Sequence, residues 1–526
     1  MRVTRGYGMV VGLVAAGFGL AVSELLSGLF HHRVSPVTAV AESVIALAPG
    51  SVAEWVIGLV GQHDKQLVIG MTLLGLVVIS AAVGALSLRS VWAAEGLFVL
   101  MGVVLVLAVH ARLSTSSSTY IPAVAGVLAA MIALTVLATR ATATATRQGE
   151  GTTPQPVTDA EPALSRRGFV MTAGVFAGAA VVAGAGGRLL GRSRRAVEAA
   201  RGQLTLPPGR GLHPPVRGVK PPGVEVGVDG VAPWVTPQRT FYRIDTALAV
   251  PEILPGDWQL RVHGMVDREV TLTYQDLLDR GLRDAWVTLC CVSNPVGGGL
   301  IGNAHWSGVR IADILAEAGI HPDADAVLST SADGWTAATP LGALTDGRNS
   351  MLAVAMNGEP LTSEHGFPVR MVVPGLYGYV SATKWVVDLE VTRFDDVSGY
   401  WTERGWSPRG PVKTESRIDV PDNQQRLAAG KIAIAGVAWA QHTGITGVEV
   451  RVDEGQWMQA RLAADPTTDC WRQWVYTWDA TPGEHQLQVR ATDESGYTQT
   501  GEVADVVPDG ATGWDTISVD VVHGDT

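Results

Sequence analysis

Residues 288–294 read Thr-Leu-Cys-Cys-Val-Ser-Asn and run into three glycines, Gly297-Gly298-Gly299. Trp286–Leu289, just ahead, has the composition of a strand, so the cysteines stand where a strand meets a glycine-rich turn. They are two of only three cysteines in 526 residues. A thiolate is the softest side-chain ligand and a strong nucleophile. The pair is therefore a metal site, a redox site or part of a buried strand. Adjacent cysteines bridge only under strain, and three cysteines make no disulfide framework.

Working outward, Trp258–Gly264 alternates like a strand. Thr273–Gly281 reads as a short helix, with Thr273 as cap, Asp276 in the first turn and Gly281 at the C′ position. Val309–Gly319 has the spacing of an amphipathic helix. Residues 367–373 and 384–391 read as buried strands around a Gly/Tyr loop, which makes an α+β domain over 236–421. Past Pro421 come short alternating strands at Lys431–Trp439, Gly447–Val452, Trp457–Leu462, Trp471–Trp478 and His485–Ala491. They resemble an immunoglobulin-type β-sandwich without its disulfide, over 422–526.

The N-terminal part differs in kind. The chain is 47% hydrophobic and 17% charged, too apolar for a wholly soluble protein of two or three domains. Its net charge of -11 argues against a nucleic-acid partner. Met9–Phe30, Gln66–Leu88, Val91–His110 and Tyr120–Leu137 are each long enough to span a bilayer. Residues 36–61, broken at Pro49-Gly50, read as a re-entrant or interfacial segment. Region 1–140 is thus expected to hold four transmembrane helices plus that segment. Glu24, Glu42, Glu54 and Glu95 lie in or near the apolar stretches, as functional carboxylates or interfacial ones. His31, His32, His63 and His110 form no two facing pairs, so haem is not expected.

Residues 141–164 have the composition of a linker. Ser165-Arg-Arg-Gly-Phe-Val170 then precedes a weakly hydrophobic, small-residue run to Leu190. Region 165–190 resembles a twin-arginine export signal that stays as a fifth transmembrane helix. Arg2, Arg5, Arg89, Arg140, Arg147, Arg166 and Arg167 then lie inside, and the chain after 190 lies outside. Arg188, Arg192, Arg194 and Arg195 fall on the outer side, against the positive-inside tendency. Residues 191–235 read as a Pro/Gly-rich linker.

Four motifs occur in order: Thr288–Asn294, Gly302-Asn-Ala-His-Trp306-Ser-Gly-Val309, His365-Gly-Phe-Pro-Val-Arg370, and Val373-Pro-Gly375 through Lys384-Trp385. Together they resemble the sulfite-oxidase class of molybdopterin-dependent oxidoreductases, in a membrane-anchored form, over roughly 235–526. The resemblance implies a molybdenum–molybdopterin cofactor and two-electron oxygen-atom transfer. It makes Cys291, the fourth residue of Thr-Leu-x-Cys, the metal ligand and catalytic residue, and Cys290 a packing residue. It places Tyr242, Arg243, Asp245, Ser293, Asn294, Asp333, His365, Arg370, Ser381, Thr383 and Lys384 at the cofactor. Arg370 is suited to fork onto phosphate or pterin oxygens. The C-terminal sandwich resembles the family's dimerisation domain, which implies a homodimer.

One departure bears on substrate. Animal and plant sulfite oxidases carry Arg-Asn-His where Asp245-Thr246-Ala247 stands, so an acid replaces a substrate-binding cation. The expected substrate is a small oxyanion or a sulfoxide, with an electron-transfer partner, the membrane and the twin-arginine export machinery as further partners. The expected location is the cytoplasmic membrane, multi-pass, with the catalytic domain outside. The rival readings are a non-catalytic surface protein displaying a sandwich, a thiol redox protein, and a sulfoxide or other-oxyanion reductase on the same scaffold.

Overall fold

The capping signals at Thr273 act as a reciprocal pair. In the computed structural model, Thr273 accepts from the Asp276 N–H, and the Asp276 carboxylate accepts from the Thr273 N–H. The helix Tyr274–Asp279 ends before Gly281, whose φ of 79° favours glycine. The structure describes residues 2–29, 40, 43, 64–110, 120–149, 166–190, 193–207, 210–211, 219–247 and 249–523. The chain divides into two compact units, Met1–Ala196 with Ala247–Pro251, and Val197–Thr246 with Glu252–Thr526.

The first unit holds helices α1 (Arg2–Leu29), α2 (Asp64–Ser87), α3 (Val91–His110), α4 (Ile121–Gly149) and α5 (Arg166–Leu190). Among the described residues, α1 to α4 are long and apolar enough to cross a membrane, while the apolar part of α5, Gly168–Gly184, is shorter. Helix α1 packs on α2, α4 and α5. A side chain at Gly12 would run into the backbone of Ser80 and Gly84, and one at Gly19 would meet Gly126 and Ala130. Small residues thus set these crossings, as expected where apolar surface alone does not drive helices together. Thr135 donates to Glu95 (2.5 Å) and His110 bonds Tyr120 (2.8 Å). Most of 36–61, with Glu42 and Glu54, and His31, His32 and His63 lie outside the described residues.

Among the described residues the second unit contains four sheets. One places Arg283–Cys290 between Arg210–Gly211 and Ile301–Arg310, and continues through Met351–Met356 to Arg370–Val372. Another runs Val270–Thr273, Gln259–Gly264, Val386–Thr392, Ala326–Ser331, Thr336–Pro340. The C-terminal pair of sheets shares one core, built from Ile434 and Trp474 on one side and Leu487, Val489 and Ile517 on the other.

Three boundaries correct the sequence expectations. The α4 helix continues through the Ala/Thr alternation to Gly149, inside the expected 141–164 linker. A helix, Ser193–Gln203, stands within the expected 191–235 linker. Its Arg201 caps the carbonyl of Leu361 (2.8 Å) and its Val197 is buried in the core around Phe241 and Trp306. The strand Glu415–Val420 pairs with Gly430–Trp439, so the C-terminal sheets begin before residue 422. Four of these six residues are polar or charged and only Ile418 and Val420 alternate, so Glu415-Ser-Arg-Ile-Asp-Val420 carries too short an apolar alternation to announce it.

Glu415, at the start of that strand, is 4% exposed, and one of its oxygens has no hydrogen-bond partner. Burial pushes its carboxyl up to about 8 from an ordinary 4.5. Between those values the native state holds a proton that the unfolded chain has released. The stability contributed by this group therefore falls as pH rises through that window. Glu415→Gln is expected to stabilise the fold by about 2 kcal/mol near pH 7 and to change little at pH 4.5. Thermal unfolding at the two pH values checks this, and an equal shift at both would refute it.

Candidate active site

The ladder between Arg283–Cys290 and Ile301–Arg310 ends at the pair Cys290 and Ile301. Cys291 leaves the strand, its N–H bonding the Leu300 carbonyl (2.9 Å), while the Asn294 carboxamide oxygen accepts from Leu300 N–H (2.7 Å). Gly297, with φ of 73°, lets the turn close. The two sulfurs are thereby separated. Cys291 lines a cavity; Cys290 does not, and its thiol lies 3.5 Å from the Cys291 carbonyl oxygen.

Around Cys291 the cavity is walled by Tyr242, Asp245, Ser293, Asp333, His365, Arg370 and Lys384, which come from six separate segments. Phe241 organises one wall. Its ring stacks on Tyr242 (5.2 Å) and meets His365 and Trp306 edge-on (5.8 Å each). Gly302 is required there, because a side chain at that position would overlap the Phe241 ring. Gly366, with φ of 104°, ends the turn that carries His365. The His365 Nε2 donates to the Gln238 carbonyl (2.9 Å), which fixes its tautomer.

Electrostatics follow from burial. The Cys291 thiol is pushed up by burial, while the Ser293 N–H and hydroxyl oppose this by hydrogen bonding to the sulfur. Burial and then Arg370 lower His365 to about 4, so its imidazole is neutral at pH 7. Burial raises the Tyr242 phenol well above 10, so it remains a donor. Burial lowers Lys384 to about 8 although Asp245, 2.7 Å away, favours its charge.

Arg370 is 6% exposed, and among the described residues its guanidinium hydrogen-bonds only the carbonyls of Met371, His365 and Ala382, at 3.3, 3.4 and 3.5 Å. It also lies 5.1 Å from the Trp306 ring. No carboxylate pairs with it among the described residues, and burial lowers it to about 10. A buried, unpaired guanidinium is costly. An anionic group with several acceptors, placed beside a thiol ligand, is what these residues fit.

Eight of the expected site residues line the cavity, and four do not. Arg243 turns its guanidinium onto Asp245 (2.8 Å). Asn294 builds the turn. The Ser381 hydroxyl donates to the Tyr377 carbonyl (2.9 Å), and Thr383 is bonded to the Ser329 hydroxyl (2.6 Å). Their side chains are spent on the loops that position Arg370 and Lys384. The aromatic members Phe241, Trp335, Tyr379, Trp401 and Trp406 went unassigned from sequence, because an aromatic in a loop reads equally well as packing.

Residues 247–401 match the family described as "Oxidoreductase molybdopterin binding domain". An uncharacterized oxidoreductase, YuiH, from Bacillus subtilis (strain 168) is 37% identical over 153 residues, covering 29% of this chain and 74% of that protein. Mitochondrial sulfite oxidase of Drosophila melanogaster is 29% identical over 302 residues, covering 49% of this chain and 52% of that protein. The chain thus spans about half the length of that sulfite oxidase. Among solved structures, the sulfane dehydrogenase SoxCD from Paracoccus pantotrophus aligns with a TM-score of 0.49 at 25% identity, over 56% of this chain and 85% of that chain.

Proposed function

The chain belongs to the sulfite-oxidase class of molybdopterin-binding oxidoreductases, and on that basis we propose that it is a membrane-anchored enzyme transferring an oxygen atom at a Cys291-ligated molybdenum. The observation that carries this is the meeting in a single cavity of one thiol, Cys291, and one buried guanidinium, Arg370, that has no carboxylate partner among the described residues. The cofactor of the class, molybdenum–molybdopterin, supplies the two-electron chemistry when bound.

The chain's own residues bind, orient and exclude water. Cys291 offers the sulfur ligand, losing its proton as the metal binds. Arg370 offers its fork of donors to the anionic end of the cofactor. Tyr242, kept protonated, and His365, kept neutral, offer hydrogen bonds without adding charge. Lys384, held by Asp245 and by the Glu364 carbonyl (3.3 Å), faces the same space.

The location follows from the arginine pattern: α1 to α4 anchor the chain, the Arg166-Arg167 segment directs twin-arginine export, and the catalytic unit lies on the outer side. An immunoglobulin-like C-terminal domain pairs two copies, and electrons pass to or from a separate partner. Four apolar helices support the anchor, and the shared core of the C-terminal sheets supports the sandwich.

The test is metal analysis of the full chain purified in detergent from a molybdenum-replete host. One molybdenum per chain is expected; a folded, metal-free protein would leave the non-catalytic surface reading in its place.

A further inference from the structure

The helix Ser193–Gln203 follows closely on Leu190, where α5 ends. Val197, Arg201 and Leu204, the last just past the helix end, stand at i, i+4 and i+7, which is one stripe of a helix. Val197 and Leu204 pack into the core that holds Phe241, Leu361 and Phe367. Arg201, between them, is directed at main chain. Its Nε donates to the Leu361 carbonyl (2.8 Å) and its Nη2 to the Pro360 carbonyl (3.1 Å). Its ion pairs with Glu198 and Glu359 are longer, at 3.8 and 3.7 Å. Glu198 in turn accepts from the Ser363 hydroxyl (3.4 Å). The helix thus grips residues 360–363 through two side chains.

Three groups of the cavity wall hang from the turn that comes next. Thr362 caps the turn Ser363–His365, its hydroxyl accepting from the His365 N–H. The His365 Nε2 donates to the Gln238 carbonyl (2.9 Å), and the Gln238 side-chain amide donates to the same Pro360 carbonyl that Arg201 holds (3.4 Å). A protonated Nε2 leaves Nδ1 as the acceptor of a neutral imidazole. The Lys384 ammonium donates to the Glu364 carbonyl (3.3 Å), and the Arg370 guanidinium donates to the His365 carbonyl (3.4 Å). His365, Arg370 and Lys384 are therefore fastened to one short turn. Arg201, which holds the approach to that turn, is not itself part of the cavity wall.

We propose that Arg201 is a positioning residue: from the helix Ser193–Gln203 it sets the place of the turn that presents His365, Arg370 and Lys384 to a bound pterin. The inference rests on the molybdopterin reading above. It gives a role in that reading to a segment outside both the cavity wall and the matched residues 247–401. A guanidinium bridging two neighbouring carbonyls fixes their relative orientation, and its charge makes these bonds stronger than neutral ones. Without it the Pro360 carbonyl loses its charged donor. Gln238, which shares that carbonyl and holds His365, then loses a fixed neighbour. A misplacement of about 1 Å caused far from the chemistry can cost about 100-fold, so a partial loosening of this turn is expected to show as about tenfold.

The test uses the full chain in detergent, with and without cofactor. Arg201→Met keeps a long side chain and removes both donors. In the molybdenum-loaded chain it is expected to release molybdopterin about tenfold faster, while Arg201→Lys, whose ammonium still reaches carbonyls, stays within about threefold of the parent. The second readout is ring-nitrogen NMR of the metal-free chain carrying isotope-labelled histidine, with His365 identified by difference from His365→Gln. The parent is expected to show a protonated Nε2 and a bare Nδ1, and Arg201→Met a mixture of both tautomers. Glu359→Gln, which removes only the ion pair to an exposed carboxylate, is expected to change neither readout. Arg201→Gln carries the same test, at about threefold, if the Met variant does not fold. Faster release with the parent's His365 signal would make Arg201 a packing residue and overturn the inference, and so would no change in either readout. If the parent binds no molybdenum, the molybdopterin reading fails, and the His365 signal still decides whether Arg201 holds the turn.

Discussion

Cys291→Ser is expected to lose nearly all bound molybdenum and about a thousandfold or more in turnover, while Cys290→Ser keeps both. The two residues are neighbours, equally thiol and both buried, so chemistry alone does not separate them. Geometry does. Only Cys291 stands in the cavity wall, with the Ser293 N–H and hydroxyl turned toward its sulfur. Serine lacks the soft donor that molybdenum takes from a protein thiolate. Cys290 is enclosed at the end of its strand, and burial pushes its thiol well above 9. Its replacement costs packing of about 1 kcal/mol, read as a lower Tm without loss of metal. Metal analysis and a turnover assay on the two variants decide the matter. Equal losses in both would favour a thiol redox pair, and full metal retention in Cys291→Ser would remove the ligand assignment.

The second large effect is expected at Arg370, with opposite signs in the two states of the protein. Without cofactor, Arg370→Met is expected to stabilise the fold by about 1–3 kcal/mol, because an uncompensated buried charge is replaced by an apolar chain of similar length. With cofactor, the same variant is expected to retain molybdopterin at least about 100-fold more weakly, since the anionic end loses its forked donor. Arg370→Lys is expected to restore the charge but not the affinity, because an ammonium does not make the paired contact. Tm of the metal-free chain and cofactor retained after gel filtration are the two measurements. A destabilised metal-free Arg370→Met would show that Arg370 is a structural cation rather than a binding one.

Much of the site is legible in the sequence. Thr-Leu-x-Cys, the Gly-rich turn, His365, Arg370 and Lys384 are types whose chemistry suits one job, and their order along the chain carried the family resemblance. The short helix after Thr273 was legible for the same reason: capping is decided within four residues. The strand Glu415–Val420 was not, because its polar sequence becomes a strand only by pairing with Gly430–Trp439. The loop-holding contacts of Ser381 and Thr383 were not legible, because a hydroxyl near a binding loop is equally suited to a ligand and to the loop, and only the structure shows the bonds to Tyr377 and Ser329.

By itself the sequence determined the class of chemistry, the short stretch that carries the adjacent thiols and the helices apolar enough for a bilayer, since each depends on residue type and local spacing. Tertiary structure decided which of two adjacent thiols faces the cavity, that Asp245 pairs with both Lys384 and Arg243, and that tryptophans far apart in the chain line the same cavity. Those facts depend on distances between residues far apart in the chain, and electrostatic and packing energies depend on such distances rather than on sequence spacing.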